Sequence, residues 1–213
     1  MPQFYPIFLN LAGKNCLVIG GGQVAARKVQ SLLECGADVE VISPALTDSL
    51  QTMQAHGAFI WTKREFLPGD EKGRFLLFAA TGDRALNREV AELCRKEPCF
   101  FNAVDDPEAC DFYVPAVIRQ GSVAAAVSTT GASPLFAAFL RDEMTGIISE
   151  EAGKMAAILE STRERTRKAK VPYATKKKMY QEILAMNWRE LLQEGKEEEV
   201  RENVEQCISS WLG

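Results

Sequence analysis

The sequence is poor in the residues that hold metal ions. It contains a single histidine, His56, and its six cysteines include no Cys-x-x-Cys pair. A structural zinc site needs clustered cysteine and histidine ligands, so we predict no resident metal site. We interpret the cysteines instead as buried, reduced thiols, which are typical of a chain that folds in a reducing compartment.

Long apolar runs and an excess of positive charge are also missing. No apolar stretch approaches the roughly 20 residues that span a bilayer. The opening MPQFYPIFLNL has no basic segment followed by a long apolar core, so no signal peptide is predicted. The chain has 25 Lys and Arg against 29 Asp and Glu, a net charge of −4. Because nucleic-acid-binding surfaces are usually basic, we expect no nucleic acid among its partners. Without a membrane-spanning run or a signal peptide, we expect a cytoplasmic protein that has no membrane partner.

Up to about residue 112, short apolar runs alternate with helical patterns. The run KNCLVIG predicts a buried strand, and the following QVAARKVQSLLEC places Val29, Leu32 and Leu33 on one face of a helix that Gly36 ends. Further strands are predicted in ADVEVISP, AFIWTKR, RFLLFAAT and CFFNAVD. This alternation with short turns predicts an α/β fold, a Rossmann-type doubly wound parallel sheet with helices on both faces.

The composition changes after this region. Two β-like runs, Val114–Ile118 and Val123–Ser128, precede a short helix for which Ser133 is the predicted N-cap. The remaining chain is charged and helical in pattern, with breaks expected at Pro172 and Gly195. We therefore predict a nucleotide-binding domain over 1–112, a small α+β dimerisation segment over 113–148, and a helical C-terminal domain over 149–213.

The stretch GGGQVA, residues 20–25, lies between the first predicted strand and the first predicted helix. In a Rossmann turn, Gly20 would permit the tight bend, Gly22 would let a pyrophosphate approach the backbone, and Ala25 would let helix and strand pack closely. The helix N-terminus, with Gln23 and Val24, would then face the phosphates. We predict a dinucleotide site here; the alternative is a tight turn that binds nothing.

The second strand lacks the acidic residue that usually binds the ribose of NAD. It ends at Ser43, which is followed by Pro44 and Ala45. A serine can hydrogen-bond a ribose hydroxyl but does not repel a 2′-phosphate, and no arginine follows in SPALTDSL to attract one. These residues are predicted to line the cofactor site, and the pattern favours NAD over NADP.

Polar residues follow two other predicted strands. Thr81 comes after FLLFAA, whereas Asn102, Asp105 and Asp106 lie in or just after CFFNAVD. Since ligands bind at the carboxyl edge of a doubly wound sheet, we predict that Thr81 and Asn102 contact the cofactor. The paired aspartates are candidates for catalysis, with a solvated turn before Pro107 as the alternative.

Four segments of this sequence, in this order, carry a family resemblance. They are YPIFLNLAGKNCLVIGGGQVAARKVQSLLECGADVEVISP, LLFAATGDRALNREVA, NAVDDPEACDFYVPAVI and VAAAVSTTGASPLFAAFLRDEM. The chain from about residue 4 to 146 resembles precorrin-2 dehydrogenases, which include stand-alone enzymes, bifunctional dehydrogenase/ferrochelatases and the N-terminal region of fused siroheme synthases. The resemblance implies NAD-dependent oxidation of precorrin-2 to sirohydrochlorin. Some members also insert ferrous iron, and whether this chain does so stays open.

The resemblance also implies roles for particular residues. The aspartate of the family's N-x-V-D segment matches Asp105, which is therefore the expected catalytic residue. A hydroxyl residue that lines the substrate cleft in some members matches Ser128 or Thr129. The family forms an intertwined homodimer, with most contacts made by the small middle segment, so the same assembly is expected here.

One stretch is basic, although the chain as a whole carries a negative net charge. Residues 163–178 hold eight basic side chains and one acidic side chain, Glu164. Arg163, Arg165 and Arg167 are candidates for binding the carboxylates of precorrin-2, because the guanidinium group pairs with a carboxylate in a bidentate manner. A solvated helix face is the alternative. For the whole chain, the alternative to an enzyme is a carrier or sensor that binds NAD or a tetrapyrrole without turnover.

Overall fold

The computed structural model describes residues 4–212, which form two compact units. The first unit ends at Val114 and the second begins at Pro115. The boundary therefore lies two residues beyond the predicted end of the nucleotide-binding domain.

The first unit contains a five-stranded parallel sheet in the order β3-β2-β1-β4-β5. Its strands are β1 (Asn15–Ile19), β2 (Asp38–Ile42), β3 (Ile60–Thr62), β4 (Leu76–Ala79) and β5 (Phe100–Ala103), and its helices are α1 (Gln23–Glu34), α2 (Asp48–Ala55) and α3 (Arg84–Cys94). The chain winds outward from β1 to β3 and then crosses to β4 on the other side of β1. This arrangement confirms the predicted Rossmann-type fold and places the topological switch point between β1 and β4.

Both faces of the sheet are covered by helices. In β1, Cys16 and Val18 belong to the core beneath α1 and α2, whereas Leu17 and Ile19 belong to the core beneath α3. Side chains alternate between the two faces of a strand, so a strand buried on both sides must be apolar at every position. Burial on both faces of the sheet explains the uninterrupted apolar run of β1 in the sequence.

The second unit begins with a hairpin and continues as helices. Its elements are β6 (Ala116–Gln120), β7 (Val123–Val127), α4 (Pro134–Glu143), α5 (Glu150–Lys168), α6 (Tyr173–Ala185), α7 (Trp188–Gln193) and α8 (Glu197–Leu212). Strands β6 and β7 pair antiparallel, and both α4 and α5 pack against them. Strand β6 begins after Pro115 rather than at Val114, because proline has no N–H to donate to a ladder. The predicted N-cap is confirmed, since the Ser133 hydroxyl accepts a hydrogen bond from Phe136 N.

The four last helices share one apolar core. It is built from Met155, Ile158, Met179, Ile183, Leu191, Leu192, Val200, Val204, Cys207 and Ile208. The predicted breaks are present, because Pro172 caps α6 and Gly195, with φ of +75°, separates α7 from α8. The break between α6 and α7 at Asn187 was not predicted. Among residues 4–212, no helix is long and apolar enough to cross a membrane. The division of this unit at residue 149 stays a prediction.

Gly153 shows how closely α5 approaches the hairpin. A Cβ at this position would lie 2.7 Å from the carbonyl oxygen of Gln120 in β6, whereas a Cβ at Gly146 would meet nothing within 4 Å. Alanine normally stabilises a helix relative to glycine by about 0.5–1 kcal/mol. At position 153 this gain is outweighed by steric overlap with backbone atoms, which cannot move aside as a flexible side chain can.

We therefore expect Gly153→Ala to lower the free energy of unfolding by about 1–2 kcal/mol, the usual scale of overpacking. Gly146→Ala, the matched control, should change it by less than about 0.5 kcal/mol. Urea unfolding followed by circular dichroism measures both. Equal stability of the two variants would contradict the close packing of α5 on β6.

Candidate functional site

The turn after β1 depends on Gly20 for both its conformation and its packing. Gly20 has φ of +117°, which side chains rarely adopt, and a Cβ there would lie 2.4 Å from the carbonyl oxygen of Ala80. Ala80 follows β4, the strand next to β1. Gly20 thus allows the loops after β1 and β4 to meet at the switch point.

Gly21 packs closely against the loop after β2, a contact that the sequence pattern missed. A Cβ at Gly21 would lie 1.9 Å from the carbonyl oxygen of Ala45 and 2.8 Å from the Ser43 hydroxyl oxygen. In addition, Thr47 N donates to the carbonyl of Gly21 over 2.9 Å. The G-x-G pattern treats this position as variable, and the run of three glycines was the only signal. Gly21 thus holds the loop after β2 against the turn.

Gly22 differs from the other two glycines because it borders open space. It is the N-cap of α1 in an extended conformation, with φ of −83°, and a Cβ there would meet no atom of residues 4–212 within 4 Å. In the described part of the chain no side chain caps α1, and its first turn, which includes Gln23 and Val24, contains no acidic residue. Ala25 is fully buried against the sheet. Open space beside uncapped N–H groups fits a dinucleotide pyrophosphate.

Ser43 serves the loop in which it lies. Its side chain is buried and its hydroxyl donates to the carbonyl of Ala45 over 2.7 Å. The indole Nε1 of Trp61 donates to the carbonyl of Ser43 over 3.0 Å. Because the hydroxyl proton is used within the loop, Ser43 can offer a ribose hydroxyl only an acceptor. Pro44 and Ala45 are exposed beside it.

Thr81 and Asn102 are both held by hydrogen bonds inside the unit. The Thr81 hydroxyl donates to Oδ1 of the buried Asn87 over 2.6 Å. Asn102 Nδ2 donates to the carbonyl of Phe112 over 2.8 Å, which ties β5 to the chain that follows it. Asn87, in α3, is a site residue that sequence reasoning missed, since no pattern relates it to Thr81. Thr81 and Asn102, both predicted to contact the cofactor, are therefore fixed in place. Their side chains keep fewer hydrogen-bonding groups for a ligand.

Asp105 is exposed at the carboxyl edge of the sheet, two residues after β5. Its φ is +64°, in the left-handed region, and within residues 4–212 its carboxylate has no hydrogen-bond or ion-pair partner. The neighbouring Asp106 is different, because its Oδ2 lies 2.9 Å from Nε of Arg88 in α3. The carboxylate of Asp105 is therefore available to a ligand, whereas that of Asp106 is held in an ion pair.

Lys28 and Cys110, which lie close to these loops, have shifted pKa values. Burial, followed by the charge of Arg27, lowers the pKa of Lys28, whose ammonium lies 5.1 Å from the centroid of the Phe78 ring. Burial raises the pKa of the Cys110 thiol. Cys110 is therefore a neutral hydrogen-bonding group at neutral pH.

The predicted substrate hydroxyls lie in the second unit, between β7 and α4. Ser128 is exposed and its Oγ accepts a hydrogen bond from Thr130 N. Thr129 Oγ1 donates to the Ser133 carbonyl and accepts from Ser133 N, both over 3.0 Å. Ser128 has the more available hydroxyl of the two, because Thr129 braces the entry to α4.

The three candidate arginines of α5 are not equivalent. Arg165 pairs with Glu205 over 2.6 Å and donates to the Ser209 hydroxyl over 2.9 Å, so its charge connects α5 to α8. Arg163 and Arg167 are one helical turn apart and exposed. Arg163 lines an open groove of about 350 Å³ together with Ser122, Ala156, Leu159, Glu160 and Tyr180.

The class of the first unit follows from a comparison with known families. A family model described as putative NAD(P)-binding matches residues 7–116. The matched range includes the glycine turn, the loop after β2 and the loop that contains Asp105. The chain therefore belongs to this NAD(P)-binding family.

The most informative relatives are siroheme synthases. The chain is 38% identical over 211 residues to the siroheme synthase of Thioalkalivibrio sulfidiphilus, covering 99% of this chain and 43% of that protein. It is 38% identical over 183 residues to the siroheme synthase of Neisseria meningitidis serogroup C, covering 84% of this chain and 37% of that protein. This chain thus spans less than half the length of these relatives.

A solved structure shares the fold over almost the whole chain. It is described as SirC, precorrin-2 dehydrogenase, and matches with a TM-score of 0.76 and 24% identity, covering 95% of this chain and 100% of that chain. At this level of identity the match demonstrates a common fold. Together with the family model and the siroheme synthases, it confirms the family resemblance drawn from the sequence.

The open space at Gly22 leads to a direct test of the cofactor site. We expect Gly22→Asp to weaken NAD⁺ binding by at least about tenfold, or about 1.4 kcal/mol, because a carboxylate would lie where the pyrophosphate must come. The melting temperature should be unchanged or slightly raised, since aspartate is a good N-cap. Isothermal titration calorimetry and thermal unfolding measure the two effects.

Gly22→Ser is the matched control, because serine also caps a helix but carries no charge. It should lose much less affinity than the aspartate variant. Unchanged NAD⁺ affinity in Gly22→Asp would contradict the assignment of the turn.

Proposed function

We propose that this protein oxidises precorrin-2 to sirohydrochlorin with NAD⁺. The observation that carries the proposal is an available carboxylate, Asp105, at the carboxyl edge of a sheet whose glycine turn borders open space. The similarity to siroheme synthases and the fold shared with SirC, precorrin-2 dehydrogenase, support the same reaction. The fold alone would not select a substrate.

NAD⁺, when bound, supplies the hydride acceptor for this oxidation. The chain's own residues have simpler tasks. The N–H groups at the start of α1 would hold the pyrophosphate, and the packed glycines Gly20 and Gly21 would keep the loops after β2 and β4 in place. Asp105 would accept a proton released by the substrate, since it is exposed and has no competing partner among residues 4–212.

We propose NAD rather than NADP as the cofactor. The loop after β2 carries no arginine between Ser43 and Leu50, and the charged residue that it brings is Asp48, at the start of α2. The loop thus lacks the arginine that accommodates a 2′-phosphate in NADP-binding Rossmann folds. Because the six cysteines are present as thiols, we also propose the cytoplasm as the location.

We propose a homodimer in which α4 forms part of the interface. Leu135 is 85% exposed, Phe136 52% and Phe139 55%, so one side of this helix presents large apolar groups to solvent. A two-stranded sheet such as β6–β7 is rarely stable alone. A second copy of the chain would cover both elements by a symmetric contact.

The reaction is tested by mixing the protein with precorrin-2 and NAD⁺ and following NADH absorbance. We expect turnover by the wild type and a fall in kcat of about 100-fold or more in Asp105→Asn, the range for loss of a general base. Asparagine keeps the size of the side chain and tolerates a left-handed backbone, so the loop should persist.

Glu108→Gln is the control, since it removes a carboxylate from the same loop and should leave kcat unchanged. Wild-type turnover in Asp105→Asn would refute the role of Asp105. Binding of NAD⁺ and precorrin-2 without NADH would favour the carrier alternative over the enzyme.

We further propose that Arg163 and Arg167 attract the carboxylates of precorrin-2. They are exposed on one face of α5, whereas Arg165 is engaged by Glu205 and is assigned to bracing the helices. Two neighbouring guanidinium groups that have no partner among residues 4–212 suit a substrate that carries several carboxylates. Their field would speed association at low salt and weaken as salt rises.

Replacing Arg163 and Arg167 together by glutamine should raise KM for precorrin-2 by about three- to tenfold at low ionic strength, with KM for NAD⁺ unchanged. The difference from wild type should shrink near 0.15 M salt, where the Debye length is about 8 Å. The pair Lys72→Gln and Lys96→Gln, which changes the net charge equally, is the control. If both double variants match wild type at low salt, the two arginines are only a solvated surface.

A further inference from the structure

The backbone at Asp105 has an unusual conformation that its neighbours must maintain. Among residues 4–212, Asp105 and Thr130 are the non-glycine residues with positive φ. The left-handed region disfavours residues that carry a Cβ, although aspartate tolerates it better than most. A residue in this conformation keeps it when the residues on both sides are fixed.

On the N-terminal side, the loop is fixed by the sheet. Val104 N donates to the carbonyl of Ala79, the last residue of β4, over 2.9 Å. The pairing of β5 with β4 is thus extended to the residue immediately before Asp105. Strand β5 ends at Ala103, and the chain leaves the edge of the sheet after Val104.

On the C-terminal side, the loop is fixed by a side chain from α3. Arg88 Nε donates to Oδ2 of Asp106 over 2.9 Å. The Asp106 side chain is only 13% exposed, whereas that of Arg88 is 69% exposed. The arginine therefore reaches over the surface and holds an almost buried carboxylate. The same contact raises the pKa of Arg88, because it is hydrogen-bonded to Asp106.

The main chain of Asp106 is held as well. Its carbonyl accepts a hydrogen bond from Ala109 N over 3.1 Å, and the Cys110 thiol lies 3.3 Å from the same oxygen. Cys110 Sγ also lies 3.2 Å from both N and O of Ala103, at the end of β5. The loop is thus closed on itself, and Arg88 is its side-chain link to α3.

We propose that Arg88 and Asp106 are positioning residues that hold the Asp105 carboxylate where it meets the substrate. This inference rests on the proposed function, in which Asp105 accepts the proton. Neither residue contacts the reacting atoms in this scheme. The ion pair acts through the backbone, by keeping Asp105 in its left-handed conformation between two fixed neighbours.

An exposed arginine of this kind contributes little to global stability. Loss of the pair should therefore affect the placement of one carboxylate and not the fold. Small displacements of a catalytic group lower the chemical rate strongly while substrate binding is preserved. A selective fall in kcat distinguishes positioning from a structural role.

The test compares Arg88→Gln, Asp106→Asn and the double variant in the precorrin-2 assay. We expect each of the three to lower kcat by about the same factor, roughly tenfold, because either substitution breaks the same pair. KM for NAD⁺, KM for precorrin-2 and the melting temperature should stay within about twofold and about 2 °C of wild type. Arg88→Lys, which keeps the charge, should recover most of the rate.

Arg95→Gln is the matched control, since it removes an ion pair with Glu92 on the same helix without touching the loop. It should leave kcat unchanged. A kcat near wild type in Arg88→Gln, a multiplicative fall in the double variant, or a fall in melting temperature that parallels the loss of rate would each overturn the inference. Absence of turnover by the wild type would instead overturn the proposed function, and this inference with it.

Discussion

The close approach of backbone to backbone at the first glycine turn is the constraint on which the rest of the site depends. A Cβ at Gly20 would collide with the loop after β4, and a Cβ at Gly21 would collide with the loop after β2. The loops after β2 and β4 therefore meet at a turn that has no side chains. This contact directs the N-terminus of α1 at the space beside Gly22, where a pyrophosphate can approach N–H groups that no side chain of residues 4–212 caps.

Polar side chains around this edge mostly bind to the protein itself. Ser43 closes the loop after β2, Thr81 bonds to Asn87, and Asn102 bonds to the carbonyl of Phe112. Buried polar groups need such partners, because an unsatisfied one costs free energy. The consequence is a rigid edge at which Asp105 stands out as an available carboxylate. Preorganisation of this kind favours transfer of a proton or hydride, which depends on accurate placement.

Most of the first unit could be predicted from the sequence. The buried strand before the glycine turn, the helix that ends before Gly36 and the parallel sheet were confirmed, because strands buried on both faces leave continuous apolar runs and helices leave a 3.6-residue repeat. The second unit was less predictable. Its charged helices have a weak apolar pattern, so the break at Asn187 left no clear signal and β6 was placed two residues too early.

The sequence by itself determined the sheet, the glycine turn and the family, because these depend on patterns within a few tens of residues. Only the tertiary structure decided which polar groups stay available. Arg165 is paired with Glu205, forty residues away, and Asp106 is paired with Arg88, eighteen residues away. The local sequence does not distinguish Arg165 from Arg167. It also does not distinguish Asp105 from Asp106. They differ because folding brings a distant partner to one member of each pair and leaves the other exposed.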